Sequence, residues 1–205
     1  RVLYSSLSGC AITWVKIEGV LHEYGTIPGV KEEVGELLMN IKDIRLRSAV
    51  ETPGKLRLDV SGEIDVTAGD IMASSDYDIA NPEQHIATLD SANSSLSIEL
   101  TVERGSGYAE AAYGEGLPIG VLPVDAIFTP IRKVNYKVEN VRVGHRPDFE
   151  KLTLEIWTDG TIDPMEAMRQ AGTILAENFF IFAKSRESDE DGVVTSPISK
   201  WLSPE

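Results

Sequence analysis

The chain has 205 residues and 22.4 kDa, with 42% apolar and 25% charged residues, enough for one ordinary domain or two small ones with an unstapled core. Nineteen Lys and Arg oppose 33 Asp and Glu, a net charge of −14. That balance excludes a surface given over to phosphate or anionic lipid, because both need clustered cations. No run nears the roughly 20 apolar residues of a bilayer span. The opening Arg1-Val2-Leu3-Tyr4 has no signal-peptide pattern. A lone cysteine, Cys10, excludes an internal disulfide framework or a Cys-rich zinc site. The expectation is a soluble protein of a reducing cytoplasm, and a first residue other than Met, in mid-pattern, suggests a fragment.

Residues 11–18 are rich in β-branched and aromatic types and read as a strand, closed by Gly19; Val20 to Tyr24 read as a second short strand. A turn at Gly25-Thr26-Ile27-Pro28-Gly29 leads into a helix over 30–42, where Val30, Val34, Leu37, Leu38 and Ile41 form one apolar stripe. From 43 to about 103 the pattern alternates, through Ile44 and Leu46, then Leu56, Leu58 and Val60, then Leu96, Ile98, Leu100 and Val102. Gly105 to Gly120 carries five glycines and reads as a long excursion without repeating structure. Strands resume over 131–143 and 151–158.

A final helix is predicted over 164–184. Asp163 is its N-cap, Pro164 its first residue, and Glu166 completes a capping-box spacing. Met165, Met168, Gly172, Leu175, Phe179 and Phe182 then follow at spacings of 3, 4, 3, 4 and 3, a heptad seam that Ala171, Ile174 and Ile181 widen. Either the whole stripe lies on the chain's own sheet, or one part does and the other meets a partner helix. Residues 185–205 read as a solvated linker or tail, with Trp201-Leu202 its one apolar spot.

Chemistry-bearing patterns are sparse. His22, His85 and His145 have no metal-ligand spacing, and His22-Glu23 on a strand would point to opposite faces, so His22 reads as a hydrogen-bonded structural residue. Ser5, Ser6 and Ser8 lie near Cys10 without a nucleophile elbow. Arg104-Gly105-Ser106-Gly107-Tyr108 lacks the strand-to-helix setting of a phosphate loop and reads as a structured turn anchored by its Arg and Tyr. Carboxylates are abundant enough to place two about 5–10 Å apart, which keeps a free-standing acidic hydrolase as the alternative function, beside a generic dimeric ligand-binding module.

Six ordered blocks carry a resemblance. They are Arg1 to Thr13; Gly19-Val20-Leu21-His22-Glu23-Tyr24; Gly29-Val30-Lys31-Glu32-Glu33-Val34 through Leu38-Met39-Asn40-Ile41-Lys42; Arg104-Gly105-Ser106-Gly107-Tyr108; Pro123-Val124-Asp125-Ala126 with Thr129-Pro130-Ile131; and Thr158-Asp159-Gly160-Thr161-Ile162-Asp163-Pro164. Over residues 1 to about 184 the chain resembles the N-terminal domain of the bacterial RNA polymerase alpha subunit.

The resemblance implies an α+β fold in two parts: a dimerisation subdomain of helices on an antiparallel sheet (1–8 plus 131–184) and an inserted, mostly β subdomain (9–130). It implies a non-catalytic scaffold that dimerises and assembles the beta and beta-prime subunits of a nucleotidyltransferase. The chain would have no catalytic residue, cofactor, metal or direct DNA contact of its own, and would work in the cytoplasm at the nucleoid, or in a plastid. Arg1 and Tyr4 match beta-contact positions, Tyr4 departing from the usual aliphatic residue. Lys42 and Val124 match beta-prime contacts, and Met168, Leu175, Phe179 and Phe182 lie on the helix that meets the second alpha subunit. The family's segment before Arg1 and its C-terminal DNA-binding domain have no match, so the chain alone is expected to dimerise poorly.

Overall fold

The computed structural model describes residues 1–72, 74–111, 118–143 and 146–184; the side chains of 143, 146–148 and 182–184 lie outside that description, as do the predicted tail, Trp201-Leu202 and His145. A short helix α1 (Val2–Ser5) leads into β1 (Ser8–Ile17), then α2 (Val34–Lys42), β2 (Leu46–Ser48), β3 (Gly54–Ser61), β4 (Ile64–Thr67), a single 3-10 turn (Ala68–Asp70), β5 (Tyr77–Ile79), β6 (His85–Leu89), β7 (Ser95–Ser106), β8 (Tyr108–Ala109), β9 (Val121–Pro123), β10 (Ala126–Ile127), β11 (Ile131–Val143), β12 (Arg146–Thr158) and α3 (Pro164–Lys184). The α+β character expected from the sequence is what is found. Among the described residues no helix is long and apolar enough to cross a membrane.

The main sheet is antiparallel in the order β3-β7-β1-β2-β5, and β9 also pairs with β1. One edge of β1 carries β7 along its whole length; the other carries β2 at Cys10 and β9 from Trp14 to Lys16. Between Ile12 and Trp14 the register slips, leaving Thr13 as an extra residue whose carbonyl accepts the Val124 N–H at 2.9 Å. Such a bulge shifts the side-chain alternation by one. Ile12, Val15 and Ile17 therefore share the core, and Ala11 faces away from it beside Ala126 and Phe128.

Two differences from the sequence expectation stand out, one made by long-range bonds and the other by a local turn. Helix α2 starts at Val34, not Val30: Val30 bridges Leu89, the Lys31 N–H donates to the Thr88 carbonyl, and the Glu32 carboxylate accepts from the Thr88 N–H at 2.7 Å, the Thr88 hydroxyl at 3.0 Å and His85 Nε2 at 3.1 Å. Burial works to raise the Glu32 pKa, but these partners hold it below its ordinary value. Residues 30–33 are thereby tied along β6, and Val30 still packs on the core without being helical. Val20 to Tyr24 are not a strand. Gly19 takes φ +80° and the Val20 N–H turns back to the Ile17 carbonyl, which leaves Leu21, His22 and Tyr24 exposed in a loop. His22 is thus a loop residue, not an interior one.

Among the described residues the apolar interior falls into two large clusters and a small third one of Ala11, Ala126 and Phe128. The larger packs Val34, Leu37, Leu38 and Ile41 of α2 against Ile86, Ala87 and Leu89 of β6 and the inner face of the sheet. The smaller joins Leu7, Ile131, Ala167 and Ala171, with Val2, Leu3, Val134, Ile156, Ile162 and Ile174 around them, so α1 and α3 lie on the two-stranded ribbon of β11 and β12.

The N-terminus of α3 is capped as expected, with Asp163 Oδ1 accepting from the Met165 N–H at 2.9 Å and the Glu166 N–H at 3.3 Å. The reciprocal half of the capping box is not made: Glu166 turns along the helix to Arg169 and Gln170, because those i+3 and i+4 donors compete for its carboxylate. Arg104 to Ser106 are not a turn but the end of β7, paired with Ser8 to Cys10, and Arg104 donates to the Ser8 hydroxyl at 3.0 Å. The strand expected over 151–158 begins earlier, at Arg146, because it pairs with β11 along nearly its whole length.

Leu37 is fully buried and Met39, two residues on, is 66% exposed. Leu37→Ala should cost about 2–5 kcal/mol in a urea titration, and Met39→Ala should fall within about 0.5 kcal/mol of the parent.

Candidate protein-interaction surfaces

Helix α2 ends at Lys42, and its outer face forms one wall of a groove of about 420 Å³. Glu33, Leu38, Met39 and Lys42 line that wall; Pro123 at the end of β9 and Val124 and Asp125 just after it line the other, with Tyr24 also on the lining. Lys42 Nζ donates to Asp125 Oδ2 at 3.0 Å and stands 5.8 Å from the Tyr108 ring centroid. The second oxygen of Asp125 accepts the Ala111 N–H at 2.8 Å. These bonds, the Ala111 N–H first, then Lys42, then the Tyr108 hydroxyl, hold the Asp125 pKa down at about 2. The groove thus offers exposed apolar surface (Tyr24 88%, Met39 66%) beside an ion pair fixed in place.

The structure brings Lys42 and Val124 to the same groove, 82 residues apart in the chain. They differ in kind. Lys42 is a half-buried cation, its side chain 23% exposed and its Nζ held by Asp125, whereas Val124 is 7% exposed and belongs to the larger core, its N–H held by the Thr13 carbonyl. Asp125 was not singled out from the sequence, although it follows Val124 directly; nothing local marks it, because its partners come from α2 and from Ala111.

Arg1 and Tyr4 sit at α1. Arg1 is exposed, and its carbonyl accepts the N–H groups of Tyr4 and Ser5. The Tyr4 hydroxyl donates to the Arg132 carbonyl and accepts the Val134 N–H, both at 3.2 Å, so it caps two polar groups on the open edge of β11. That hydroxyl gives a physical use for a tyrosine where the resemblance leads one to expect an aliphatic residue. On α3, Ala167 and Ala171 face the ribbon, while Met165, Met168, Leu175 and Phe179 face out, 67%, 39%, 42% and 67% exposed. Phe182 lies on the same helix, with its side chain outside the described residues.

Elsewhere the titratable groups serve structure. His85 is tied to Glu32, and Cys10 is half-buried, its thiol pushed up in pKa by that burial. Among the described residues no cluster of three His, Cys, Asp or Glu is placed to hold a metal.

Residues 15–129 match the family model described as the RNA polymerase Rpb3/RpoA insert domain. The chain belongs to this family. Its relatives include the DNA-directed RNA polymerase subunit alpha of Roseiflexus sp. (strain RS-1), 50% identical over 198 residues, which is 96% of this chain and 61% of that protein. Those of Alkaliphilus metalliredigens (strain QYMF) and Roseiflexus castenholzii (strain DSM 13941 / HLO8) are 47% and 52% identical over 93% and 86% of this chain. The chain spans 61% and 55% of their lengths. Nothing in these relatives points to a hydrolase.

Because Asp125 has a lowered pKa in the folded chain, its ionised carboxylate, held first by the Ala111 N–H and then by Lys42, stabilises the fold above the ordinary carboxylate value of 3.8 and loses that contribution as pH falls towards about 2. Asp125→Asn should flatten the loss of stability over that interval, by no more than about 1 kcal/mol, since the Asp125 side chain is 36% exposed. Thermal melts of the two proteins at pH 2, 3, 4 and 7 measure it.

Proposed function

We propose that the chain is a non-catalytic scaffold of DNA-directed RNA polymerase, the part of an alpha subunit that pairs with a second alpha subunit and receives the beta and beta-prime subunits. The observation that carries the reading is the double-faced α3: a small-residue face on its own ribbon and an outward row of Met165, Met168, Leu175 and Phe179 that stays exposed among the described residues. A row of large apolar side chains at heptad spacing is suited to a second helix, and an obligate pairing of this kind resembles a domain core cut in two.

Under this reading residues 1–8 and 131–184 form the dimerisation part and 9–130 the insert, in keeping with two apolar clusters that divide along the same lines. Met168, Leu175, Phe179 and Phe182 meet the second alpha subunit. Arg1 and Tyr4 face beta, and Lys42, with the edge of Val124, faces beta-prime through the groove. The nucleotidyl-transfer chemistry belongs to the large partners, and this chain contacts no DNA directly. It works where the polymerase works, at the nucleoid of a bacterial cytoplasm.

At concentrations raised until the parent chain pairs, Phe179→Asp should shift it back towards monomer in sedimentation, by several kcal/mol of association energy if the charge is fully desolvated; an unchanged oligomer distribution there, or a parent that never pairs, refutes the pairing. Lys42→Ala should reduce recovery of beta-prime in a pull-down without changing the circular dichroism of the chain. Equal recovery refutes that contact.

A further inference from the structure

The two apolar clusters meet through very little. Among the described residues the small group of Ala11, Ala126 and Phe128, from β1, β10 and the segment after it, stands apart from both. The chain passes from one to the other twice, just after Leu7 and between Phe128 and Ile131, and both crossings are side by side. Phe128 fills a slot that two glycines leave open: a Cβ on Gly105 would stand 2.8 Å from its ring, and one on Gly9 would stand 2.0 Å from its carbonyl oxygen. The Gly107 carbonyl accepts the N–H groups of Phe128 and Thr129 at 2.9 and 3.2 Å. Adjacent crossings held at one line make a hinge, and bodies joined through so small an interface move relative to each other unless something off the hinge restrains them.

Arg47 supplies a contact off that line. It lies on β2, one strand across the sheet from β1, and its guanidinium reaches the turn between β12 and α3. There Nε donates to the Thr161 carbonyl at 3.2 Å and a terminal nitrogen donates to the Gly160 carbonyl. Asp78 steadies the same guanidinium at 3.8 Å. The receiving turn is itself rigid: the Asp159 N–H donates to the Pro130 carbonyl at 3.0 Å, and the Asp159 carboxylate accepts both the N–H and the hydroxyl of Thr161. A planar fork spanning two neighbouring carbonyls fixes direction as well as distance, which a lysine ammonium does not do.

We propose that Arg47 is a positioning residue, a strap that sets the angle between the two apolar cores and with it the angle between the Lys42 groove and the outward row of α3. A half-exposed arginine adds little to resistance against unfolding. It has only to outweigh the small difference between orientations that bury the same two cores. The functional weight of the angle rests on the reading that both surfaces dock; the strap itself does not, and its test reads geometry alone.

The test is a spin-label distance measurement between Glu63→Cys, in the exposed turn before β4, and Glu177→Cys, on the exposed side of α3, in the full chain carrying Cys10→Ser and diluted with unlabelled chain. The parent should give one narrow distance. Arg47→Ala should broaden the distribution at least twofold with unchanged near-UV circular dichroism and melting. Arg47→Lys, which keeps the charge and loses the fork, should broaden it as well and decides the matter if the alanine variant does not fold. Arg57→Ala, whose partner Asp59 lies on its own strand, should match the parent. A broad parent, an unchanged width in the folded Arg47 variants, or equal broadening in Arg57→Ala overturns the strap.

Discussion

A two-stranded ribbon cannot bury a 21-residue helix that is apolar around much of its circumference. β11 and β12 offer one face, and α3 spends its small residues on it: Ala167 and Ala171 bring the helix close, and Ile174 fills the margin. Once those are buried, the row from Met165 to Phe179 has to point away, since the heptad positions lie on the adjacent stretch of the helix surface. Exposed Tyr136, Val138, Leu152 and Leu154 on the ribbon add to the same imbalance. The exposed apolar row is therefore a consequence of geometry within the smaller core, and it is the surface that the proposed pairing with another chain would cover.

Charge is handled differently in the larger core. With 33 acidic residues against 19 basic ones, several of the cations sit where they join distant pieces of chain. Lys42 ties the end of α2 to the segment after β9, Arg104 ties β7 to Ser8 at the start of β1, and Arg47 reaches from the main sheet to the turn before α3. Acidic groups do the same for backbone N–H groups, Glu32 at Thr88 and Asp125 at Ala111. The excess negative charge is left for the surface, where it favours solubility and disfavours phosphate.

What was legible from the chain alone was local and periodic. The alternation of Leu96, Ile98, Leu100 and Val102 predicted β7, the spacing of Val34, Leu37, Leu38 and Ile41 predicted α2, and Asp163-Pro164 predicted the start of α3 to the residue. The family resemblance, which rests on ordered blocks, was legible too and agrees with the match over residues 15–129. The groove was only half legible. Lys42 and Val124 are both legible, but that one is a half-buried cation held by Asp125 and the other a core residue could not be read from spacing.

The amino-acid order by itself determined the long strands β7, β11 and β1, the bodies of α2 and α3 and which side chains are apolar, because those depend on neighbours within a few residues. Only the tertiary structure decided where α2 begins, that Thr13 is a bulge, that Val20 to Tyr24 stay out of the sheet, and which stripe of α3 faces outward. Three of these depend on a partner far along the chain: the Glu32 carboxylate on Thr88, the Val124 N–H on Thr13, and the ribbon that claims Ala167 and Ala171; Val20 is turned out by its own N–H bonding back to the Ile17 carbonyl. Such bonds carry no periodicity, so they become visible only when distant residues are brought together.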